Sequence, residues 1–325
     1  MRPHVDRKAT RLAALDVGTN SIRLVVAQVE SGVSYRILRE EREMTRLGER
    51  LSETARLSDP AMERSVEAIG RMKAIADALE ARELRAIATS AVREAENGRD
   101  FLRLAWERHR IRVQVITAEE EARLALRSVA RHFDVEDRPV AIADIGGGSM
   151  EVVFCRGAEI ERVHSLPLGA VCLTERYLRG EPMREKEWTS LRGAIDRAIE
   201  RAIGTPPFDT PLMIGSGGTF TALAAMAMFQ REGRTGPVQG YAMTRSEVVQ
   251  LLDRLREMPL EQRRRIEGLS PDRADIIVAG AAAVSRLAER LGCRRILVND
   301  GGIRDGLLLS MIAEVPEGDE ISSRA

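Results

Sequence analysis

"DVGTNSIRLVV" (residues 16–26) and "DIGGGSMEVVF" (residues 144–154) are one phrase written twice. Laid one over the other, they match Asp16 with Asp144, Gly18 with Gly146 and Ser21 with Ser149, while Val17, Leu24 and Val25 fall on Ile145, Val152 and Val153. A single copy reads as a hairpin, because a Gly-rich reversal between apolar runs suits a tight turn. A hairpin gives no reason for the recurrence. Two related halves do, if their Gly-rich loops line opposite walls of one cleft and offer backbone amides to an anion.

The flanking pattern repeats as well. Strands are expected at 11–17, 22–29 and 34–40, a helix at 60–80, a strand at 84–89, a helix at 99–109 and a strand at 111–116. Met62, Val66, Ile69, Met72, Ala76 and Leu79 recur at helical steps, and Pro60 suits the first turn after Ser58. Beyond the polar stretch "HFDVEDRP" (132–139), strands fit 139–144, 150–155 and 158–165, then helices at 169–178 and 184–203. A strand at 212–215, helices at 218–230, 245–257 and 272–291, a strand at 294–299 and a helix at 302–314 complete the order, with Gly292 as a helix stop. The reading is an α/β chain of two lobes, residues 1–130 and 131–325, with a mixed sheet in each. The tail "EVPEGDEISSRA" is polar and expected to fray.

Composition narrows the function. The 325 residues are 44% hydrophobic and carry a formal net charge of +0, which argues against generic attachment to nucleic acid or an anionic membrane. Lysine occurs only as Lys8, Lys73 and Lys186, so arginine does the cationic work, and arginine grips phosphate bidentately. Cys155, Cys172 and Cys293 form no C-x-x-C pair, which points to neither disulfides nor zinc and fits a reducing cytoplasm. The charged start lacks a signal peptide's apolar run, and "IIVAGAAAVSRLAERL" is broken by charge too soon to span a bilayer.

A third loop, "GSGGT" (215–219), follows a strand and opens a helix, an arrangement that aims free N–H groups at phosphate. It lacks the Gly-Lys-Ser/Thr of a Walker A loop, and Ile214 occupies the first glycine position of a nucleophile elbow. The three loops together favour a phosphate-binding cleft, contributed by Gly18, Thr19, Asn20 and Ser21, by Gly146, Gly147, Gly148 and Ser149, and by Gly217, Gly218 and Thr219.

These loops, with "ATSAVREAENG", "ITAEEEAR", "GYAMTRSE", "RADIIVAGA" and "ILVNDGGIRDGLL" in that order, resemble the exopolyphosphatase and guanosine pentaphosphate phosphatase (Ppx/GppA) family, within the actin-like, sugar-kinase-like ATPase superfamily. The resemblance spans about residues 11–310. It implies two ribonuclease-H-like lobes around a cleft, Mg²⁺ dependence, and removal of terminal phosphate from inorganic polyphosphate or pppGpp. Long members carry a further C-terminal helical region, for which this chain has no residues left. The family's usual loop threonine is Met150 here, so that side chain is not expected to be essential. A homodimer is the expected assembly.

The carboxylates separate hydrolysis from mere binding. Thr117 and Glu120 form a capping box, and Glu119 suits a helix N-terminus, so both have structural explanations. Glu121 shares the inward face of Leu124 and Ala125, where burial and neighbouring acids would disfavour its ionised form and suit a general base. The resemblance likewise selects the glutamate before the Ala-Arg pair as catalytic, makes Glu151 a second cleft acid, and makes Arg93 the clamp on the terminal phosphate. Without it, Glu151 would be an ordinary strand residue and Arg93 a solvated one. Asp16 and Asp144 end strands beside phosphate loops and would repel the substrate unless a cation lay between them, so they are the expected metal residues. Arg23 and Arg46 are weaker candidates for the substrate path; "RRR" (263–265) reads as a solvated face; His4, His109, His132 and His164 have no metal spacing. An ATP-dependent kinase or an actin-like nucleotide switch would share the loops, but a sugar kinase has no use for "EEEAR" with "SAVRE", and a DnaK-type switch needs a lysine that is missing from 9–72 and 74–185.

Overall fold

The computed structural model describes residues 10–31, 34–136, 138–180 and 182–315; His4 and most of the polar tail fall outside them. In the first half, strands β1 (Arg11–Val17), β2 (Ile22–Ser31) and β3 (Ser34–Glu43) precede helices α1 (Leu51–Thr54) and α2 (Asp59–Ala78). Strand β4 (Glu83–Ala88), helices α3 (Ser90–Glu94) and α4 (Gly98–His109), strand β5 (Val113–Val115) and helix α5 (Ala118–His132) follow. The second half runs β6 (Pro139–Ile145), β7 (Met150–Arg156), β8 (Glu159–Leu166), α6 (Ala170–Tyr177), α7 (Glu185–Ile203), β9 (Leu212–Ser216) and α8 (Gly218–Glu232). It ends with β10 (Ala242–Thr244), α9 (Arg245–Glu257), α10 (Leu260–Arg263), α11 (Ile277–Arg290), β11 (Arg295–Asn299) and α12 (Gly302–Ala313).

The two halves share one topology. The first sheet has the order β3-β2-β1-β4-β5 and the second the order β8-β7-β6-β9-β11, extended by β10. In each, the leading strand is antiparallel to the next and parallel to the fourth. The repeat holds to the residue, since Asp16 lies opposite Arg23 as Asp144 lies opposite Glu151. Both repeated loops are in fact hairpin loops, closed by Gly18 N–H to Ser21 O (3.1 Å) and Gly146 N–H to Ser149 O (3.0 Å). The hairpin reading thus holds for both copies of the repeat.

Each sheet is covered on both faces. Helices α2 and α4 bury Met62, Val66, Ile69, Met72, Phe101 and Ala105 against one face of the first sheet, each large side chain contributing about 1.5–3 kcal/mol. Leu307, Leu308, Met311 and Ile312 of α12 cover the other face, against Leu12, Ala14, Val25 and Ala27. On the second sheet, α7, α8, α9 and α11 pack one face, and Ala122, Ala125, Leu126 and Val129 of α5 pack the other. So α12, last in the sequence, serves the first sheet, while α5 serves the second. Met150 is fully buried in the second core.

Two expectations need correction. The helix expected over 272–291 begins only at Ile277, because Ala274 and Ile276 donate to Pro271 and Arg273 in tight i to i+3 turns. "RRR" is not uniformly solvated, since Arg263 is 4% exposed and donates to the carbonyls of Met258 (3.1 Å) and Ala274 (2.9 Å). Four short elements, α1, α3, α10 and β10, lie where no periodic signal of three to five residues could be read. Among the described residues no helix is long and apolar enough to cross a membrane.

Candidate active site

The strand ends meet at one interlobe cleft. Asp16 and residues 18–21 of the first half line it together with Asp144, residues 146–149, Glu151, Gly217 and Gly218 of the second, and Glu121 of α5. The two hairpin loops face each other at contact distance: a side chain at Gly148 would put its Cβ 2.3 Å from Ser90 Oγ and 2.9 Å from Thr19 Oγ1. Gly217, at φ +92°, turns the chain from β9 into α8 and passes so close that a Cβ would lie 2.4 Å from Ile145 O and 2.9 Å from Asp144 Oδ1. That turn brings the start of α8, with its free N–H groups, to the strand end carrying Asp144. Thr219 is buried beneath the loop, against α11, rather than on the cleft wall.

Helix α5 delivers Glu121. The capping box is complete, with Thr117 Oγ1 accepting from Glu120 N–H (3.2 Å) and Glu120 Oε2 accepting from Thr117 N–H (2.7 Å). Glu120 is thereby used up in holding the helix start, and the next residue, Glu121, turns inward to 2% exposure. Arg93, outside the cleft wall, forms an ion pair with Glu121 and donates to Ile116 O (2.8 Å). Glu151 is 3% exposed and accepts from Ser165 Oγ (3.0 Å).

Four carboxylates therefore converge in a buried space. Burial raises the Glu121 pKa, the Glu151 charge raises it further, and Arg93 opposes both. Burial likewise raises Glu151. Asp144 is pushed up to about 7 by burial and by the charges of Glu151 and Asp16; Asp16 is raised by burial, and its Oδ1 is buried with no hydrogen-bond partner. Negative charge confined like this is expensive unless protonated or met by a cation.

Positive charge lines the same cleft, and part of it left no signal in the sequence. Arg273 is 8% exposed and lines the cleft. Its guanidinium lies on Gly218, where a Cβ would come within 1.9 Å of Nη2. Burial, then the nearby charges of Arg23 and Arg42, lower its pKa to about 9. A buried cation pushed toward neutrality by other cations is a group that gains from an incoming anion. Arg23 also lines the cleft, as does Arg304, whose ion pair is with Glu40. Arg46 does not; it reaches Asp275 across the lobes at 2.8 Å. A further Gly loop, Asp300 to Gly302 at the start of α12, completes the wall. It has the same strand, Gly-Gly, helix order as "GSGGT", so that signal was present. Arg273 opens the stretch "RADIIVAGA", but no local pattern of charge or spacing marks it as inward, and the tight turn before α11 aims it there.

The described histidines lie elsewhere. His109 packs against Gly70, His164 edge-on to Phe154 at 5.9 Å, and His132 contacts Asp305 at 3.2 Å. Among the described residues no group of three or more His, Cys, Asp or Glu side chains has metal-holding geometry.

The sequence matches the Ppx/GppA phosphatase family over residues 25–315. It is 31% identical over 315 residues to exopolyphosphatase 2 of Mycobacterium tuberculosis, covering 93% of this chain and 98% of that one. The fold is similar to the crystal structure of the Aquifex aeolicus Ppx/GppA family member, with 31% identity, a TM-score of 0.78, and coverage of 94% and 98%. It is also similar to an exopolyphosphatase from Cytophaga hutchinsonii, with 25% identity, a TM-score of 0.87, and coverage of 95% and 99%.

Proposed function

The chain belongs to the Ppx/GppA phosphatase family, and from that premise we propose that it is an exopolyphosphatase, which removes the terminal phosphate of inorganic polyphosphate by attack of water. The observation that carries this reading is Glu121, a carboxylate 2% exposed at a capped helix start, opening into a cleft walled by Gly loops. Its raised pKa suits a general base. Amides of the loops at 18–21, 146–149 and 217–218 would hold the oxygens of the terminal phosphoryl group, and Arg273 and Arg23 would meet the phosphates behind it. Glu121 would take the proton of the attacking water, while Glu151 keeps that carboxylate receptive to it.

Asp16 and Asp144 fit a bound Mg²⁺. The unpartnered Asp16 Oδ1 and the raised pKa values of both carboxylates support this reading, since a cation there would relieve both. Magnesium needs only one or two carboxylates, with water filling its remaining positions. Bound there, it would neutralise phosphate oxygens and the charge building on the leaving group. The free thiols Cys155, Cys172 and Cys293 accord with a cytoplasmic setting.

Guanosine pentaphosphate ends in the same phosphoanhydride, and the family's name covers both activities. The deciding assay measures phosphate release from polyphosphates of several lengths, pppGpp and ATP. Release from polyphosphate without any acceptor supports the proposal. Release from pppGpp alone moves the substrate to the nucleotide, and transfer from ATP to an acceptor, with neither of the others hydrolysed, overturns the hydrolase reading.

A further inference from the structure

Outside the cleft, one buried polar cluster joins parts of the molecule that are distant in sequence. Asp305, in the first turn of α12, is 7% exposed. Its Oδ1 accepts from the hydroxyl of Tyr35 on β3. Its Oδ2 accepts from Ser128 Oγ on α5 (2.9 Å) and contacts His132 Nε2 (3.2 Å). Ser128 Oγ in turn accepts from Asn299 Nδ2 at the end of β11 (3.0 Å), and the same amide donates to Ser216 Oγ at the end of β9 (3.2 Å). Ser128, Ser216 and Asn299 are all fully buried.

Each member stands a short step from the cleft. Ser216 precedes Gly217, the turn into the third phosphate loop; Asn299 precedes the loop at 300–302; Ser128 lies two helical turns along α5 from Glu121. Tyr35 ties the same carboxylate to the first sheet, whose neighbouring strand carries Arg23. A carboxylate offers about four acceptor sites on two oxygens, where the amide of the same size offers about two on one. Asp305 is therefore a group shared by β3, α5, α12 and, through Ser128 and Asn299, the ends of β11 and β9. In a buried setting such a network holds one arrangement over others.

We propose that Asp305 is a positioning residue for the reaction: through Tyr35, Ser128 and Asn299 it sets the two sheets, the α5 start and the loops at 217 and 300–302 in register around the cleft. Loop amides and Glu121 act on charge that develops during the reaction, so misplacing them slows turnover more than it weakens binding.

The test uses the full chain and the variants Tyr35→Phe, which removes one hydroxyl, and Asp305→Asn, which removes the shared acceptor. Amide hydrogen exchange on the unliganded protein reads the positioning directly, and steady-state hydrolysis of polyphosphate, expressed per folded molecule, reads its consequence. Faster exchange at 216–220 and 300–304 in Tyr35→Phe is expected. With it, kcat should fall about three- to tenfold with KM changed less than about twofold, since small misplacements of reacting groups cost up to ~10²-fold. A lowered melting temperature with unchanged exchange in those segments and unchanged kcat overturns the proposal, leaving Asp305 a packing residue. Should Asp305→Asn fail to fold, Tyr35→Phe decides alone. The kinetic arm rests on the hydrolase reading. Absence of turnover in the parent chain counts against that reading, while the exchange data still decide on Asp305.

Discussion

The guanidinium of Arg93 is ion-paired to the carboxylate of Glu121, a side chain 24% exposed against one 3% exposed. The pair ties the rim of the cleft to the candidate base, and it works against the burial that raises the Glu121 pKa. A base acts in its ionised form, so activity should rise with pH through that pKa. Arg93→Met removes the opposing cation, and the acid limb of the pH–rate profile should move to higher pH, by about 1 unit or more for a charge this close. An unshifted limb, with only KM raised, would make Arg93 a substrate clamp and nothing else.

Glu151→Gln should move the same limb the other way. The Glu151 charge is the second cause of the raised Glu121 pKa, after burial, and the amide keeps an acceptor for Ser165 while losing that charge. The profile, measured with kcat/KM over pH 4–9, reports both shifts on one axis.

Glu121→Ala should release phosphate about 10²- to 10⁴-fold more slowly, as expected for loss of a general base. Binding of polyphosphate should survive, because the Gly loops and arginines are untouched. Turnover near that of the parent would remove Glu121 from the mechanism.

Arg273→Met should separate function from stability. The guanidinium is buried and is repelled by Arg23 and Arg42, which the charge of Asp272 offsets only in part. Replacing a buried charge by an apolar chain of similar size is often neutral or stabilising. The melting temperature should hold or rise. Loss of a charged hydrogen bond to phosphate should meanwhile raise KM by about 10- to 100-fold.

Stability should depend on pH and magnesium together. The Asp144 pKa is about 7 in the folded chain against 3.8 as its ordinary value. Between those values the folded state binds more protons than the unfolded one, so this group's contribution is full below pH 4 and is lost as pH rises through 7. Without metal, Asp144 thus favours the folded state more at pH 5.5 than at pH 8. Magnesium bound at Asp16 and Asp144 competes with those protons, so it should raise the melting temperature more at pH 8 than at pH 5.5. An equal rise at both, or none in Asp144→Asn and the parent alike, would take these aspartates out of metal binding.

The sequence by itself determined the order of every strand but β10, the repeated loops and the inward turn of Glu121. Those features follow from local rules: alternation and helical period set the elements, and a capping box at Thr117 and Glu120 fixes the phase of everything after it. It could also have offered the loop at 300–302, which repeats the signal of "GSGGT". Tertiary structure alone decided that α5 and α12 pack between the two sheets, that Arg93 reaches Glu121, that Arg273 lines the cleft and that Asp305 meets Tyr35 and Ser128. Arg93 and Glu121 are 28 residues apart, and Tyr35 and Asp305 are 270 apart. No periodicity carries across such gaps. A lone arginine or aspartate has the same local pattern whether water or a buried cleft surrounds it, and only the closing of two halves around shared helices selects between them.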